Sequence, residues 1–311
     1  MAKILITESV HPIGPELLTA AGHTVVYADR DMDIIRREIV DADAVLVRII
    51  ELPGSLLATA KNLKIVSKHG VGYDNIDLDY CKSHGIAVTI TPNANSLSVA
   101  EHAFTLMLTL AKNIIPVSNE YRTVGFAAKN HAPGIEMTGK TLGLIGMGRI
   151  GKHILHMCRD GLDMHVIVYD PYISEVPEGV EKVDDLSELL RRADVVTLHC
   201  LLTDETRKLI DRERLALMKS TALLINCARG PIVDEAALIE ALENGRLAGA
   251  GLDVTDPEPV APDSPLFKLP NVIVTPHYAP TTVESATRVS KIAAENINAV
   301  LAGQEPVGRI A

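Results

Sequence analysis

The segment KTLGLIGMGRIGKHILHMCRDGLDMHVIVYD, residues 140–170, decides the fold of this chain. An apolar strand at residues 141–145 leads into a glycine-rich turn. A helix pattern follows, and a second apolar strand ends in an acidic residue. This succession of strand, turn, helix and strand is typical of a mononucleotide-binding βαβ unit. The sequence therefore predicts an α/β protein with a parallel sheet.

The glycines of this turn and the closing acid predict a bound dinucleotide. Gly146 permits a sharp turn, Gly148 lets a pyrophosphate approach the backbone, and Gly151 lets the helix pack on the strand. The pyrophosphate would bind the free amides at the helix N-terminus. Asp170, roughly 20 residues beyond the glycines, can accept hydrogen bonds from a ribose and would repel a 2′-phosphate. NAD is therefore predicted in preference to NADP, with a related nucleotide as the alternative.

Composition narrows the class of protein. A length of 311 residues predicts about two domains. The net charge of -10 and the pI near 5.6 argue against nucleic-acid and membrane-surface partners. The N-terminal apolar run is too short for a secretory signal, and no run approaches a membrane span. Four cysteines without a close pair indicate reduced thiols in a cytoplasmic protein, and no metal ion is expected.

Strands and helices are predicted to alternate along the whole chain, as in doubly wound parallel sheets. In the first part, strands are expected at residues 3–6, 24–27, 44–47, 64–67 and 86–89. From residue 141 onward six strands are expected, the number in a full dinucleotide-binding sheet. Residues 96–114 and 281–302 have the pattern of long helices, and the last is expected to return to the first domain. Residues 121–140 show little periodicity and are interpreted as a long surface excursion.

Three polar residues each follow a strand of the second sheet. They are Arg229, Glu258 and His277. Taken singly, they are an ordinary surface arginine, a turn acid and a loop histidine. Since the carboxyl ends of parallel strands form the ligand-binding edge, their joint position predicts an active site.

A possible anion site follows the fourth strand of the first sheet. In the sequence HGVG, Val71 and Gly72 could present backbone amides to a small anion. A plain turn before a helix explains the same residues equally well. Arg48, at the end of the third strand, is either a further ligand of the anion or a solvated surface charge.

Several of these segments together resemble the D-isomer-specific 2-hydroxyacid dehydrogenases, the group that includes D-3-phosphoglycerate dehydrogenase. The resemblance rests on GMGRIG, INCARGPIVDEAALIEAL, LDVTDPEP, TPHYAP, HGVGYDNIDL and SVAEHAFTLML. It implies a Rossmann NAD-binding domain, residues 97–282, inserted into a flavodoxin-like substrate domain formed by residues 1–96 and 283–311. It also implies NAD as cofactor, a small 2-oxo or 2-hydroxy acid as substrate, and a homodimer.

The resemblance assigns roles to residues at matching positions. Arg229 would hold the substrate carboxylate and carbonyl with its forked donors. His277 would be the acid and base, and Glu258 would orient its ring and stabilise the imidazolium. Asp253 would lie near the nicotinamide carboxamide. The further cofactor-binding candidates are Arg149, Ile150, His199 and Cys227, and the substrate-binding candidates are Arg48, Val71 and Gly72; for Cys227 a buried bystander is the alternative.

Departures from the family pattern leave the substrate open. Leu201 stands where a proline is usual. Tyr278 and Pro280 follow His277, where glycine is common. The chain also ends soon after its last helix, so no serine-sensing regulatory domain is expected. The alternatives are a hydroxypyruvate or glyoxylate reductase and an NAD(H)-sensing corepressor-like binding protein. Formate dehydrogenase is disfavoured because a glutamine replaces Glu258 there.

Overall fold

The computed structural model describes residues 1–311 and contains two compact units. The terminal unit consists of Met1–Asn95 and Pro280–Ala311, and the central unit consists of Ser96–Ala279. Each unit is built on one sheet in which every strand pair is parallel. The predicted fold class, two doubly wound α/β domains, is confirmed.

The first part of the terminal unit alternates strands with short helices. Its elements are β1 (Lys3–Ile6), α1 (Ile13–Ala20), β2 (Thr24–Tyr27), α2 (Met32–Glu38), β3 (Ala44–Val47), α3 (Gly54–Leu57), β4 (Ile65–Lys68), α4 (Leu78–Ser83) and β5 (Ala87–Thr89). The strand order is β2-β1-β3-β4-β5, which is the order of flavodoxin-like sheets. All four residues of β3 are buried, as expected for a strand covered on both faces.

The central unit contains a larger sheet. Its elements are α5 (Ser96–Ala111), α6 (Ile114–Val124), β6 (Thr141–Ile145), α7 (Arg149–Leu162), β7 (His165–Tyr169), β8 (Val180–Lys182), α8 (Leu186–Arg192), β9 (Val195–Leu198), α9 (Arg212–Leu215), β10 (Leu223–Asn226), α10 (Glu235–Glu243), β11 (Gly249–Leu252) and β12 (Val272–Val274). The strand order is β12-β11-β10-β9-β6-β7-β8. Numbered from β6, this is the Rossmann order 3-2-1-4-5-6 with one more strand at the edge.

One sequence prediction for the central unit was wrong, and another was incomplete. The sheet has seven strands rather than six, because the short edge strand β8 (Val180–Lys182) carries little apolar signal. The expected excursion at 121–140 is partly helical: α6 extends to Val124, and Gly125–Asn130 form a 3-10 helix. No residue of α6 is buried, so this helix makes no contribution to the core of the chain.

Strand register brings the loops of the central sheet to one edge. Asn226, the last residue of β10, pairs with Leu198 of β9 and with Leu252 of β11. Ile145 of β6 in turn pairs with Leu198 and with Tyr169. The segments that follow these strands therefore emerge side by side, as expected for a ligand-binding edge.

The last helix, α11 (Val283–Leu301), belongs to the terminal unit. It packs on α1 and β4, and Ala293, Ala294 and Ile297 are fully buried. Gly14 of α1 lies so close to α11 that an added Cβ would lie 2.8 Å from the carbonyl oxygen of Ser290. No helix in the structure combines the length and the apolar character that crossing a bilayer requires.

The close approach of α1 and α11 generates a stability prediction. Gly14→Ala should lower the free energy of unfolding by about 1–3 kcal/mol, because the new methyl group overpacks backbone that cannot rotate away. Gly161→Ala is the matched control: Gly161 is also in a helix, and nothing lies within 4 Å of its added Cβ. That change should be neutral or stabilising by up to about 1 kcal/mol. Chemical denaturation followed by circular dichroism would give the free energy of unfolding of both variants. Equal changes in the two variants would contradict the packing argument.

Candidate active site

The three glycines of the turn after β6 have different surroundings. Gly146 has φ +89°, and a Cβ there would lie 2.7 Å from the amide nitrogen of Cys200. A Cβ on Gly151 would press on the backbone of Gly146, 3.2 Å from its carbonyl carbon. Gly148 has nothing within 4 Å of an added Cβ. The first and third glycines are therefore required by packing, while the second borders open space that a ligand could use.

The helix that follows this turn has the features of an anion site. Gly148 is the N-cap of α7, and no side chain caps its first-turn amides. Asp170, just after β7, accepts hydrogen bonds from the amides of Met147 (2.9 Å) and Tyr172 (3.0 Å). A carboxylate thus stands beside the glycine turn and ties it to the neighbouring strand. The uncapped helix terminus, the open space at Gly148 and this carboxylate fit the pyrophosphate and ribose of NAD.

His277 and Glu258 form a hydrogen-bonded pair. The Nδ1 atom of His277 lies 2.7 Å from Oε1 of Glu258, and both side chains are about one-third exposed. Since a carboxylate only accepts, Nδ1 carries the hydrogen of this bond. The ring is therefore oriented with Nε2 as the nitrogen available for a substrate, either as a base or, when protonated, as an acid.

Asp253 is buried, with 1% of its surface exposed, and its carboxylate binds the segment that carries His277. It accepts hydrogen bonds from the hydroxyl of Thr275 (2.5 Å) and from the amides of Tyr278 (2.7 Å) and Ala279 (2.9 Å). The amide of His277 donates to the carbonyl of Asp253 at 2.8 Å. These bonds satisfy the buried charge and fix the backbone on both sides of His277. The predicted contact with the nicotinamide carboxamide stays a prediction.

The segment with Arg229 is fixed by the side chain of Asn226. Its amide nitrogen donates to the carbonyl of Arg229 (2.9 Å), and its amide oxygen accepts from Ala228 (3.0 Å). Gly230 packs directly against the backbone of Thr255. A Cβ at residue 230 would overlap that backbone. The loop of Arg229 thus touches the loop that continues from Thr255 to Glu258. Arg229 is partly buried, and its Nη1 donates to the carbonyl of Ala228 at 2.7 Å.

Arg48, Val71 and Gly72 belong to the terminal unit. The amide of Arg48 donates to the buried carboxylate of Glu8 at 2.7 Å. The Lys68 ammonium donates to the carbonyl of Arg48 and to Oδ1 of Asn75, the latter at 2.6 Å. The Arg48 guanidinium donates to the carbonyl of Ser9 at 2.9 Å. Buried polar groups thus fix the backbone of Arg48, although its role with a substrate stays a prediction.

Two histidines near these strand ends are partly buried. Nδ1 of His199 is inaccessible and has no hydrogen-bond partner, while Nε2 lies 2.8 Å from the hydroxyl of Thr197. Burial lowers the pKa of His199 to about 3. The pKa of His69 is also lowered to about 3, by burial and then by the charges of Arg48 and Lys68. Cys227 is buried, and burial raises the pKa of its thiol well above the usual range.

Sequence reasoning missed the residues that hold the site in place. Asn226, Thr275 and Glu8 are not among the site residues that the sequence predicts. A polar residue at the carboxyl end of a buried strand is a detectable signal, because such a group requires a partner inside the fold. The identity of that partner depends on which strands are neighbours, and the local sequence does not contain this information.

Comparison with known proteins gives the family. Residues 104–279 match the family model for the NAD-binding domain of D-isomer specific 2-hydroxyacid dehydrogenases. The match covers more than half of the chain and most of the central unit. The chain belongs to this family, and its central unit contains the family's NAD-binding domain.

Individual relatives cover nearly the whole chain. The D-3-phosphoglycerate dehydrogenase of Methanocaldococcus jannaschii is 42% identical over 98% of this chain and 58% of its own length. The chain thus spans little more than half of that relative. The glyoxylate reductase of Thermofilum pendens is 38% identical over 98% of this chain and 93% of its own length. The crystal structure of the TT0316 protein from Thermus thermophilus superposes with a TM-score of 0.91 at 35% identity, covering 99% of this chain and 100% of that one.

The position of Asp170 generates a prediction about cofactor preference. A carboxylate at the ribose position repels a 2′-phosphate, so kcat/KM should favour NADH over NADPH by about tenfold or more. Asp170→Asn removes the charge but keeps an oxygen that can accept from a neighbouring amide, so it should narrow the preference. Asp184→Asn, at an exposed acid of the same unit, is the control. Equal use of both cofactors by the unmodified chain would show that Asp170 does not discriminate.

The partly buried ring of His199 generates a prediction about acid stability. Its folded-state pKa of about 3 lies below the ordinary value of 6.5. Between these values the unfolded chain binds a proton that the folded chain excludes, so the stability from this histidine is lost as pH falls below about 6.5. His199→Gln should reduce the slope of stability against pH between about 4 and 6 by about one proton. The control is His153→Gln, at an exposed position of α7; an equal reduction there would refute the assignment.

Proposed function

We propose that this chain is an NAD-dependent dehydrogenase that interconverts a D-2-hydroxy acid and its 2-oxo acid. The observation that carries the proposal is the His277–Glu258 pair, with its 2.7 Å hydrogen bond, at the edge of the NAD-binding sheet. This pair supplies an oriented acid and base where a nicotinamide could lie. When bound, NAD supplies or accepts the hydride.

Arg229 is proposed to bind the substrate carboxylate and to polarise its carbonyl. A guanidinium offers two parallel N–H donors to a planar anion, which a lysine ammonium does not. The bonds of Asn226 to Ala228 and Arg229 fix the backbone from which this side chain projects. The backbone of Arg229 is therefore fixed before the substrate binds to its side chain.

His277 is proposed to move the proton. In the reducing direction, Nε2–H donates to the carbonyl oxygen as the hydride arrives at the carbon. In the oxidising direction, unprotonated Nε2 removes the hydroxyl proton as the hydride leaves. Glu258 keeps the hydrogen on Nδ1 and favours the positive charge that the ring carries in the reducing direction. The same two residues therefore serve both directions.

D-3-phosphoglycerate is the first proposed substrate, and hydroxypyruvate or glyoxylate is the alternative. The proposal is supported by the identity of 42% with a D-3-phosphoglycerate dehydrogenase, and the alternative by a glyoxylate reductase of nearly equal length. Arg48, Val71 and Gly72, all three in the terminal unit, are proposed to bind the anionic end of the substrate. Tyr278, half exposed beside His277, is a second residue that could select among substrates.

A homodimer in the cytoplasm is proposed for the assembly and location. The central unit exposes several large apolar side chains on and just after α6, and a second copy could cover them. They are Ile114, Ile115, Tyr121, Val124 and Phe126. The four cysteines are free thiols, which is compatible with a reducing compartment.

The proposed function is tested with a panel of 2-oxo acids and NADH, followed by the loss of NADH absorbance. The panel should contain 3-phosphohydroxypyruvate, hydroxypyruvate and glyoxylate, and at least one should be reduced. His277→Ala should lower kcat by about 100- to 10,000-fold, since it removes the acid and base. NADH binding, measured by fluorescence, should persist.

His156→Ala is the control for this test, because His156 is an exposed histidine of the same unit. Its turnover should match that of the unmodified chain. Near-normal turnover of His277→Ala would contradict the proposed role of His277. Binding of NADH without reduction of any panel member would instead favour an NAD(H)-sensing binding protein.

A further inference from the structure

The chain has a further histidine at the edge of the site, and it belongs to a helix rather than to a loop. Nε2 of His102, in α5, lies 3.0 Å from the hydroxyl oxygen of Thr275 and 3.5 Å from Oδ1 of Asp253. Its ring also meets the ring of Tyr278 edge-on, with centroids 6.2 Å apart. His102 thus contacts the residues on both sides of His277, while the proposed chemistry makes no use of it.

The direction of each hydrogen bond in this group follows from the chemistry of its members. The Thr275 hydroxyl has a single hydrogen, which it donates to Oδ1 of Asp253 at 2.5 Å. Its oxygen can therefore only accept from His102, so Nε2 of His102 carries a hydrogen. The result is a chain of donors that runs from His102 through Thr275 to the carboxylate of Asp253. Successive hydrogen bonds of this kind polarise and strengthen one another.

The segment held by this chain of donors contains a residue in an unfavourable backbone conformation. His277 adopts φ +52°, in the left-handed region that a non-glycine residue occupies only at a cost. The amides of Tyr278 and Ala279 donate to the same Asp253 carboxylate that receives the Thr275 hydroxyl. A shift of that carboxylate would therefore move the backbone of residues 277–279 together. The position of the His277 ring depends on that backbone.

Helix α5 provides a fixed anchor for the chain of donors. It packs on α7, β10 and β11, and its buried side chains include Val99, Ala103, Leu106 and Met107. His102 lies on this packed helix, so its ring projects from a rigid element. A hydrogen bond from α5 thus ties the loop after β12 to the core of the central unit.

We propose that His102 is a positioning residue of the active site: its Nε2–H, acting through Thr275 and Asp253, holds the segment of His277 in the geometry needed for proton transfer. This inference rests on the proposed function, since it assigns His102 a role in that reaction. His102 contacts neither the Glu258 carboxylate nor the reacting nitrogen of His277. Its effect is therefore expected on kcat rather than on nucleotide affinity.

The experiment compares His102→Leu, which removes the donor, with His102→Gln, whose amide N–H can restore it. His102→Leu should lower kcat for 2-oxo acid reduction by about tenfold or more, because small displacements of a reacting group are costly. KM for NADH should stay within about threefold. His102→Gln should recover most of the loss. In parallel, hydrogen exchange measured by mass spectrometry should show faster exchange of residues 277–279 in His102→Leu only.

Thr275 provides an independent test of the same chain of donors. Thr275→Val should reproduce the effects of His102→Leu, and the double variant should be no worse than either single one, because each breaks the same chain. Thr105→Val, an exposed threonine of α5 whose hydroxyl bonds only its own helix, is the matched control and should behave as the unmodified chain.

The outcomes separate this inference from the proposed function. Unchanged exchange in His102→Leu overturns the inference, as does faster exchange with unchanged kcat, or additive losses in the double variant. If the unmodified chain reduces no 2-oxo acid, the proposed function fails by itself. In that case His102 has no role in catalysis. The exchange data still show whether His102 holds residues 277–279 in place.

Discussion

The buried carboxylate of Asp253 is the interaction on which the rest of the candidate site depends. A carboxylate with 1% exposure is stable inside a protein only if donors surround it, and here a hydroxyl and two backbone amides do so. All these donors come from the segment after β12. Because the buried charge needs these donors, it fixes the backbone on both sides of His277. An apolar side chain at this position would remove both the cost and the constraint.

This constraint works because parallel strands end at one edge. The register of β9, β10 and β11 places the residues after Leu198, Asn226 and Leu252 next to one another. One edge thus collects His199, the loop of Arg229 and Asp253, although the chain separates them widely. The helices between these strands contribute little to the chemistry. They set the strand order, and the order decides which loops can meet.

The sequence predicts the periodic parts of this structure well and the partners of single side chains poorly. Most strands were predicted to within a residue or two, because their apolar runs lie between clear turn signals. Strand β8 and helix α6 were not predicted: β8 has only three residues, and α6 buries none of its residues. The residues Arg229, Glu258 and His277 stood out because each follows a strand. The hydrogen bonds that Asn226, Thr275 and His102 make depend on strand order and on angles, which a local pattern does not encode.

The glycine turn shows how one motif can contain different physical requirements. Gly146 and Gly151 have no room for a Cβ, so any substitution there would disturb the packing of β6, α7 and the chain near Cys200. Gly148 has ample room, and an alanine there would meet no protein atom within 4 Å. Stability alone therefore does not require glycine at 148. The requirement at that position is better explained by a ligand: the first amides of α7 have no side-chain cap, and a bound anion would approach them closely at residue 148.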